Sequence, residues 1–138
     1  MLRYREFEHT ADVGLEIYGN TLADLFRNAG YAFFDTIADI TKVALQVERS
    51  VRVTGDDVEM LFINWLRELL YLFSVHQEIY AEFEISVLQL DSLEASVKGE
   101  PLDLKKHDFR TEIKAVTYHQ FIVIKENGVW KARVIFDV

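Results

Sequence analysis

The sequence contains no cysteine. This absence excludes disulfide bonds, thiolate zinc sites and cysteine nucleophiles. Proline occurs once and glycine six times in 138 residues, which is too few for a disordered or low-complexity chain. Half of the residues are hydrophobic and 13% are aromatic. We therefore expect a single domain over residues 1–138 that buries its core without covalent staples.

Long hydrophobic runs are also missing. No apolar stretch approaches the roughly 20 residues that a membrane-spanning helix needs, and the N-terminal segment MLRYREFEHT lacks the apolar stretch of a secretory signal. We therefore expect a soluble cytoplasmic protein without membrane contacts. The formal net charge of −8 favours cationic partners or metal ions and opposes binding to phosphate backbones. Direct, stable binding to nucleic acid is not expected.

The spacing of apolar residues predicts two helices. The first follows an N-cap at Thr21 and ends near Ala38, and the second follows an N-cap at Asp56. The second is apolar around most of its circumference, so we expect it to be the central buried helix. Alternation predicts seven strands, and this order of elements predicts an α+β domain with two helices packed on largely antiparallel sheet. The predicted strands cover residues 3–8, 13–18, 43–53, 80–87, 93–97, 111–124 and 129–138.

Two glycine positions carry further predictions. Gly30 lies within the first helix, where glycine is unfavourable by about 1 kcal/mol relative to alanine, so we expect close packing there. Asn127-Gly128 is the strongest short hairpin signal, because both central positions of a type I′ turn need positive φ.

The stretch from Gly99 to His119 is unusually polar for a chain with so much core. It contains a local basic cluster, Lys105-Lys106-His107 with Arg110, which is too short for a nucleic-acid groove and lacks a series of stacking aromatics. Alternation then places Lys114 on one strand face with Glu112, Val116 and Tyr118, opposite His119.

Lys114 could bind a phosphate or pair with an acid. The alternative is a solvated face on which Lys114 pairs with Glu112.

Two acids lie where predicted strands begin and end. Asp12 precedes the second strand, and Asp137 lies beside Val138, whose terminal carboxylate adds a second anionic group. If these strands meet, three oxygen-rich groups become available, which suit hard cations such as Ca²⁺ and Mg²⁺. The alternative is that Asp12 caps a turn and that the last residues are a solvated tail.

Three of the four histidines, His9, His107 and His119, fall near these stretches, while His76 follows the second helix. Imidazole titrates near neutral pH and can bind metal or transfer a proton. No HxH or HExxH spacing is present, and most histidines on strands or loops are surface or hydrogen-bonded core residues. Glycine-rich phosphate loops, GxSxG elbows and Rossmann fingerprints are also missing, so an independent NTP-hydrolysing or acyl-transfer enzyme is poorly supported.

Several separated motifs, in order along nearly the whole chain, resemble the archease family. They are HTADVGLEIYG at 9–19, LF at 25–26, LFINWLRELL at 61–70, KGEPLDLKKH at 98–107, EIKAVTYH at 112–119 and WKARVIFDV at 130–138.

The resemblance implies a non-catalytic activator of the RtcB-type RNA ligase that functions in tRNA splicing. That enzyme joins RNA ends using GTP and divalent metal, and archeases promote guanylylation of its histidine and its multiple turnover. The resemblance further implies that Asp12, Asp137 and Val138 bind a divalent metal ion, with calcium expected and magnesium or manganese as alternatives. Lys114 matches a lysine implicated in activation, and His9 and His107 lie within matching motifs.

Two other classes of function stay open at this point. A small metal-dependent hydrolase could use the same acids with His9 or His119 as its base. A chaperone-like binding module would instead use exposed apolar surface.

Overall fold

The computed structural model describes residues 2–7 and 12–138, so the predictions made for His9 lie outside the described residues. The described residues form two α-helices and seven strands, in the predicted order. The helices are α1 (Leu22–Ile37) and α2 (Val58–His76), and the strands are β1 (Tyr4–Phe7), β2 (Asp12–Gly19), β3 (Val47–Thr54), β4 (Glu78–Leu88), β5 (Ser92–Pro101), β6 (Ala115–Glu126) and β7 (Val129–Asp137).

The strands form two antiparallel sheets. One contains four strands in the order β1-β2-β7-β6, and the other contains three in the order β3-β5-β4. The predicted α+β class with antiparallel pairing is confirmed. The hairpin at Asn127-Gly128 is also confirmed, since the two residues have φ of 53° and 77°.

Each helix begins with an N-cap residue whose side-chain oxygen accepts a backbone N–H of the first turn. Thr21 Oγ1 accepts the N–H of Asp24 at 3.1 Å, as predicted. In α2 the cap is Asp57, whose Oδ1 accepts the N–H of Met60 at 2.8 Å, so the prediction of Asp56 was wrong by one residue. The sequence offers two adjacent aspartates, and only the extended backbone at Asp57 decides which of them caps the helix.

The central helix is α1, and the prediction that α2 would be central was wrong. Both helices contact both sheets, but α1 is the more deeply buried one, with Arg27 as its one exposed residue. α2 presents Arg67, Tyr71 and Val75 to solvent. Apolar content alone did not reveal which helix is more deeply buried.

Close packing at Gly30 is confirmed. A Cβ at this position would lie 2.6 Å from Cδ1 of Phe83 on β4. The glycine therefore allows the aromatic ring of one sheet to lie directly against the helix backbone.

Strand β3 begins four residues later than predicted. Residues 43–46 follow a short 3₁₀ helix (Ile40–Lys42) and run beside the end of β5 without joining the ladder. The Ala44 N–H donates to Oε2 of Glu100 at 2.7 Å. Leu45 in this segment is exposed.

Strand β6 also begins later than predicted, at Ala115. Its register to β7 shifts between Thr117 and Ile122, where residues 118–121 bulge out opposite Val134, and Gln120 within the bulge has a φ of 55°. Ile113 and Val116 are both buried, so the predicted alternation that placed Lys114 on the face of Val116 was wrong. Residues 112–114 precede the ladder and are not bound by its two-residue period.

Within residues 2–7 and 12–138, no helix combines the length and apolarity required to cross a membrane.

Candidate functional site

The two predicted acids lie opposite each other in the structure. Asp12 of β2 and Asp137 of β7 are direct partners in the antiparallel register. Directly opposed residues project their side chains from the same face, with Cβ atoms about 4.5–5.5 Å apart. The adjacent pair, Val13 and Phe136, projects from the other face, and Phe136 is completely buried in the core. The two carboxylates therefore project from the outer face of the sheet.

Val138 and Lys114 adjoin this pair. The Val138 side chain packs against the hydrophobic core, which fixes the end of β7. The backbone N–H of Lys114 donates to the carbonyl oxygen of Asp137 at 2.7 Å, while the Lys114 side chain is exposed. Four predicted site residues therefore lie close together at one end of the four-stranded sheet, where β2 begins and β7 ends. We refer to Asp12, Asp137 and Val138 as the acidic edge.

The acidic edge has donors of the kind that hard cations prefer. Two carboxylates, supplemented by backbone carbonyls and water, suit Ca²⁺, Mg²⁺ or Mn²⁺. Across the two described ranges, no group of three histidine, cysteine, aspartate or glutamate side chains could hold a metal ion. A cation here would therefore need backbone, terminal-carboxylate or water oxygens to complete its coordination by the two aspartates.

His107 lies in a buried network. Its ring is fully buried, its Nδ1 accepts the N–H of Asp103 at 3.0 Å, and its Nε2 lies 2.8 Å from Oε2 of Glu100. Because Nδ1 accepts, Nε2 carries the proton and donates to the carboxylate. Because both ring nitrogens of His107 are hydrogen-bonded and the ring is buried, His107 fixes the loop after β5 and has no free nitrogen to offer a ligand. Its predicted part in ligase activation stays a prediction.

Glu100 is the centre of this network. Burial favours the neutral carboxyl, but the Lys106 ammonium, the Ala44 N–H and the His107 ring outweigh it and lower the pKa of Glu100 from 4.5 to about 2. The carboxylate thereby connects the segment after α1 to the loop after β5.

The basic cluster predicted from the sequence is mostly neutralised. Lys106 pairs with Glu100 at 2.7 Å, and Arg110 lies 3.4 Å from Oδ1 of Asp35 while donating to the backbone oxygen of the same residue at 2.5 Å. The backbone N–H of Arg110 also donates to the carbonyl of Ile37 at 2.7 Å. The segment from Arg110 to Lys114 is therefore fixed at the end of α1 and again at β7, which positions the lysine.

The remaining histidines have different surroundings. His119 lies on the exposed bulge of β6, and His76 is exposed at the end of α2. Neither position places an imidazole in a buried pocket suited to general-base catalysis.

Sequence reasoning missed a group of cations on the outer face of the four-stranded sheet. Arg5, Glu16 and Arg133 are aligned across β1, β2 and β7, and Lys131 is the next residue of β7 on this face. The available signal was the alternation in WKARVIFDV, which puts both cations on the face of Asp137.

The comparisons with known proteins agree with one another. The model of the archease protein family (MTH1598/TM1083) matches residues 4–138. Protein archease of Methanosarcina mazei is 41% identical over 99% of this chain and 96% of its own length. Protein archease of Pyrococcus abyssi is 36% identical over the full length of both chains.

Solved structures agree as well. The solution structure of Protein 1598 from Methanobacterium thermoautotrophicum has a TM-score of 0.87 and 33% identity, covering 99% of each chain. The crystal structure of an archease, possible chaperone, from Thermotoga maritima has a TM-score of 0.70 over 97% of this chain and 96% of its own. At 24% identity, this likeness concerns the fold alone. A family match over nearly the entire chain, with full-length relatives above 30% identity, shows that the chain belongs to the archease protein family.

Proposed function

We propose that this protein is an accessory activator of an RtcB-type RNA ligase, promoting its guanylylation and multiple turnover. The observation that carries the proposal is the pairing of Asp12 with Asp137, beside the backbone of Lys114. The ligase as partner is inferred from the archease resemblance, and the paired aspartates with the nearby lysine suggest how the protein would act on it.

The first element of the proposal is a divalent cation at the acidic edge. Asp12, Asp137 and the Val138 carboxylate would hold it, and calcium, magnesium and manganese all suit such oxygen donors. When bound, the cation would supply positive charge for the phosphates of a nucleotide or RNA end. The pairing of two strands, more than any loop, would keep the carboxylates together, so the site would be preorganised.

The second element is Lys114. Its exposed ammonium, on a backbone fixed to Asp137, would contact phosphate or an acidic group of the ligase. An acidic protein would not hold RNA by itself, so a metal-loaded edge with one lysine fits an activator better than an RNA-binding protein.

The test is a ligation assay with the cognate ligase at limiting concentration, followed over several turnovers. Asp12→Ala and Asp137→Ala should each abolish most of the stimulation while circular dichroism shows an intact fold. Asp91→Ala removes an exposed aspartate from the hairpin between β4 and β5 and should preserve the stimulation. Unchanged stimulation by both edge variants would exclude the metal mechanism.

Lys114→Ala should also lose stimulation, because no other exposed ammonium is fixed to Asp137 among the described residues. Lys105→Ala, an exposed lysine on the loop after β5, is the matched control. Equal loss in both variants would indicate a nonspecific effect of positive charge.

A chaperone-like role is the second candidate, since the Thermotoga maritima relative is described as a possible chaperone. It would require suppression of client aggregation without the ligase. That activity, together with no effect on ligation, would favour it over the activator.

A further inference from the structure

The outer face of the four-stranded sheet has a cationic centre, although the chain has a net charge of −8. Within the described ranges, Arg5, Lys131 and Arg133 project from the centre of this face around one carboxylate, Glu16. Arg5 pairs with Glu16, and Lys131 lies 3.8 Å from its other oxygen. Two positive charges are therefore left in excess at the centre of the face.

Arg133 is the cation without a carboxylate. It makes no ion pair within the described part of the chain, although it lies directly opposite Glu16 in the register. Its Nε is buried and has no hydrogen-bond partner. A buried donor without an acceptor is uncommon and costs about 1–3 kcal/mol, so it calls for an explanation.

The Arg133 side chain is held in place by an aromatic ring. The ring of Phe7 lies on Gly14, where an added Cβ would be 2.4 Å from the ring. The guanidinium carbon of Arg133 lies 4.2 Å from the centroid of the same ring. Stacking therefore fixes the guanidinium plane and reduces the conformational entropy that a ligand would otherwise have to overcome.

We infer that Arg133, with Lys131 beside it, forms a binding site for a phosphate group on the outer face of the sheet. A planar guanidinium donates in a fork that matches phosphate oxygens, and a neighbouring ammonium adds charge. Arg133 lies four residues before Asp137 on β7, which corresponds to about 13 Å along a strand. The phosphate site is thus separate from the acidic edge but on the same face.

The inference rests on the proposed function for its ligand, because a ligase activator would meet phosphates of nucleotides and RNA ends. Among the described residues, the acids on this face are Glu16, already paired with Arg5 and Lys131, Glu126 near the end of β6, and the more distant Asp12 and Asp137. A cation at the acidic edge would strengthen phosphate binding by reducing the negative charge of the face.

The test is an NMR titration of the isolated protein at low salt with inorganic phosphate, GMP and a short single-stranded RNA. Phosphate should shift the signals of Lys131 and Arg133, and Arg133→Gln should weaken binding by about tenfold, as expected for one lost charge-assisted hydrogen bond. Lys131→Gln should weaken it less. Arg52→Gln, which removes an arginine from the outer face of the other sheet, should leave the affinity unchanged.

The three ligands distinguish the source of the phosphate. Equal affinity for phosphate and GMP would indicate a single phosphate group, and tighter, more salt-sensitive binding of RNA would indicate its backbone. No shift with any ligand, or equal weakening by Arg133→Gln and Arg52→Gln, would overturn the inference. If Arg133→Gln does not fold, the same comparison with Arg52→Gln is made with Lys131→Gln.

The ligase is absent from this titration, so its result is independent of the proposed function. Asp12→Ala should still bind phosphate in the absence of metal, even though it should lose ligase stimulation.

Discussion

At the scale of single residues, the clearest contrast is between two arginines of β3. Arg49 donates two hydrogen bonds of 2.9 Å to Glu78, which also accepts the Tyr80 hydroxyl at 2.7 Å. The Arg49 guanidinium lowers the pKa of Glu78 despite burial of the carboxyl, and burial together with Glu78 raises the pKa of Tyr80. Arg52 pairs with Glu94 at the surface.

Arg49→Ala should therefore lower the free energy of unfolding by more than Arg52→Ala does, because it leaves the buried Glu78 carboxylate without its cation. Arg52→Ala should lower it by less than about 1 kcal/mol, since an exposed pair is screened by water. Urea unfolding followed by circular dichroism measures both. Similar losses would contradict the distinction between the two pairs.

Glu100 provides a pH-dependent prediction. Its pKa in the folded protein, about 2, is below the ordinary 4.5, so its charged form stabilises the fold above pH 4.5 and this contribution is lost as the pH falls toward 2. Glu100→Gln should lower Tm at pH 7, and the difference from the parent protein should shrink below pH 4.5. Glu126→Gln, at an exposed position, should show little difference at either pH. A constant difference for Glu100→Gln would contradict the assignment.

At the scale of elements, the pairing of β4 with β5 depends on a close backbone approach. A Cβ at Gly99 would lie 1.9 Å from the carbonyl oxygen of Ile79, and this backbone atom cannot move without breaking the ladder. Gly128 has open space around it, but its φ of +77° lies in a region that favours glycine over other residues.

Gly99→Ala should therefore lower the free energy of unfolding by about 3 kcal/mol, whereas Gly128→Ala should cost about 1 kcal/mol through its backbone conformation alone. Thermal or urea unfolding measures both free energies, and both substitutions add the same methyl group. Equal effects would contradict the close contact with Ile79 as the constraint at Gly99.

The bulge of β6 shapes this strand as a whole. It interrupts an edge strand and places Tyr118 against α2, where Arg67 donates to the Tyr118 hydroxyl at 2.8 Å. A bulge at an edge hinders pairing with another chain. The bulge also begins close to the residue that pairs with Asp137, so it separates the acidic edge from the rest of β6.

At the scale of the whole molecule, a cation at the acidic edge would connect β2 with β7 and stabilise the fold. Calcium at about 100 times its Kd should add about 2.7 kcal/mol to the free energy of unfolding, measured as a rise in Tm. Asp12→Asn and Asp137→Asn should abolish the rise, while Asp91→Asn should retain it. The same rise in all four proteins would place the binding of calcium elsewhere.

The sequence allowed prediction of much of this architecture. Thr21 and Asn127-Gly128 act locally, so their cap and turn could be predicted from neighbouring residues alone. The strand boundaries at Val47 and Ala115 could not, because residues before them alternate in sequence yet bond to Glu100 and Asp137 instead of joining the ladder. The buried histidine network could not be predicted either, since it depends on Glu100 and His107 meeting in space.

By itself, the sequence determined the number and order of the elements, the α+β class and the family, because periodicity, caps, turns and motifs are properties of short segments. Only the tertiary structure decided that α1 is the more buried helix, that Asp12 lies opposite Asp137, and that Arg133 lies on Phe7. These features depend on strand register and on which layers enclose a helix. Register and layering arise from contacts between residues far apart in the chain, which no local pattern encodes.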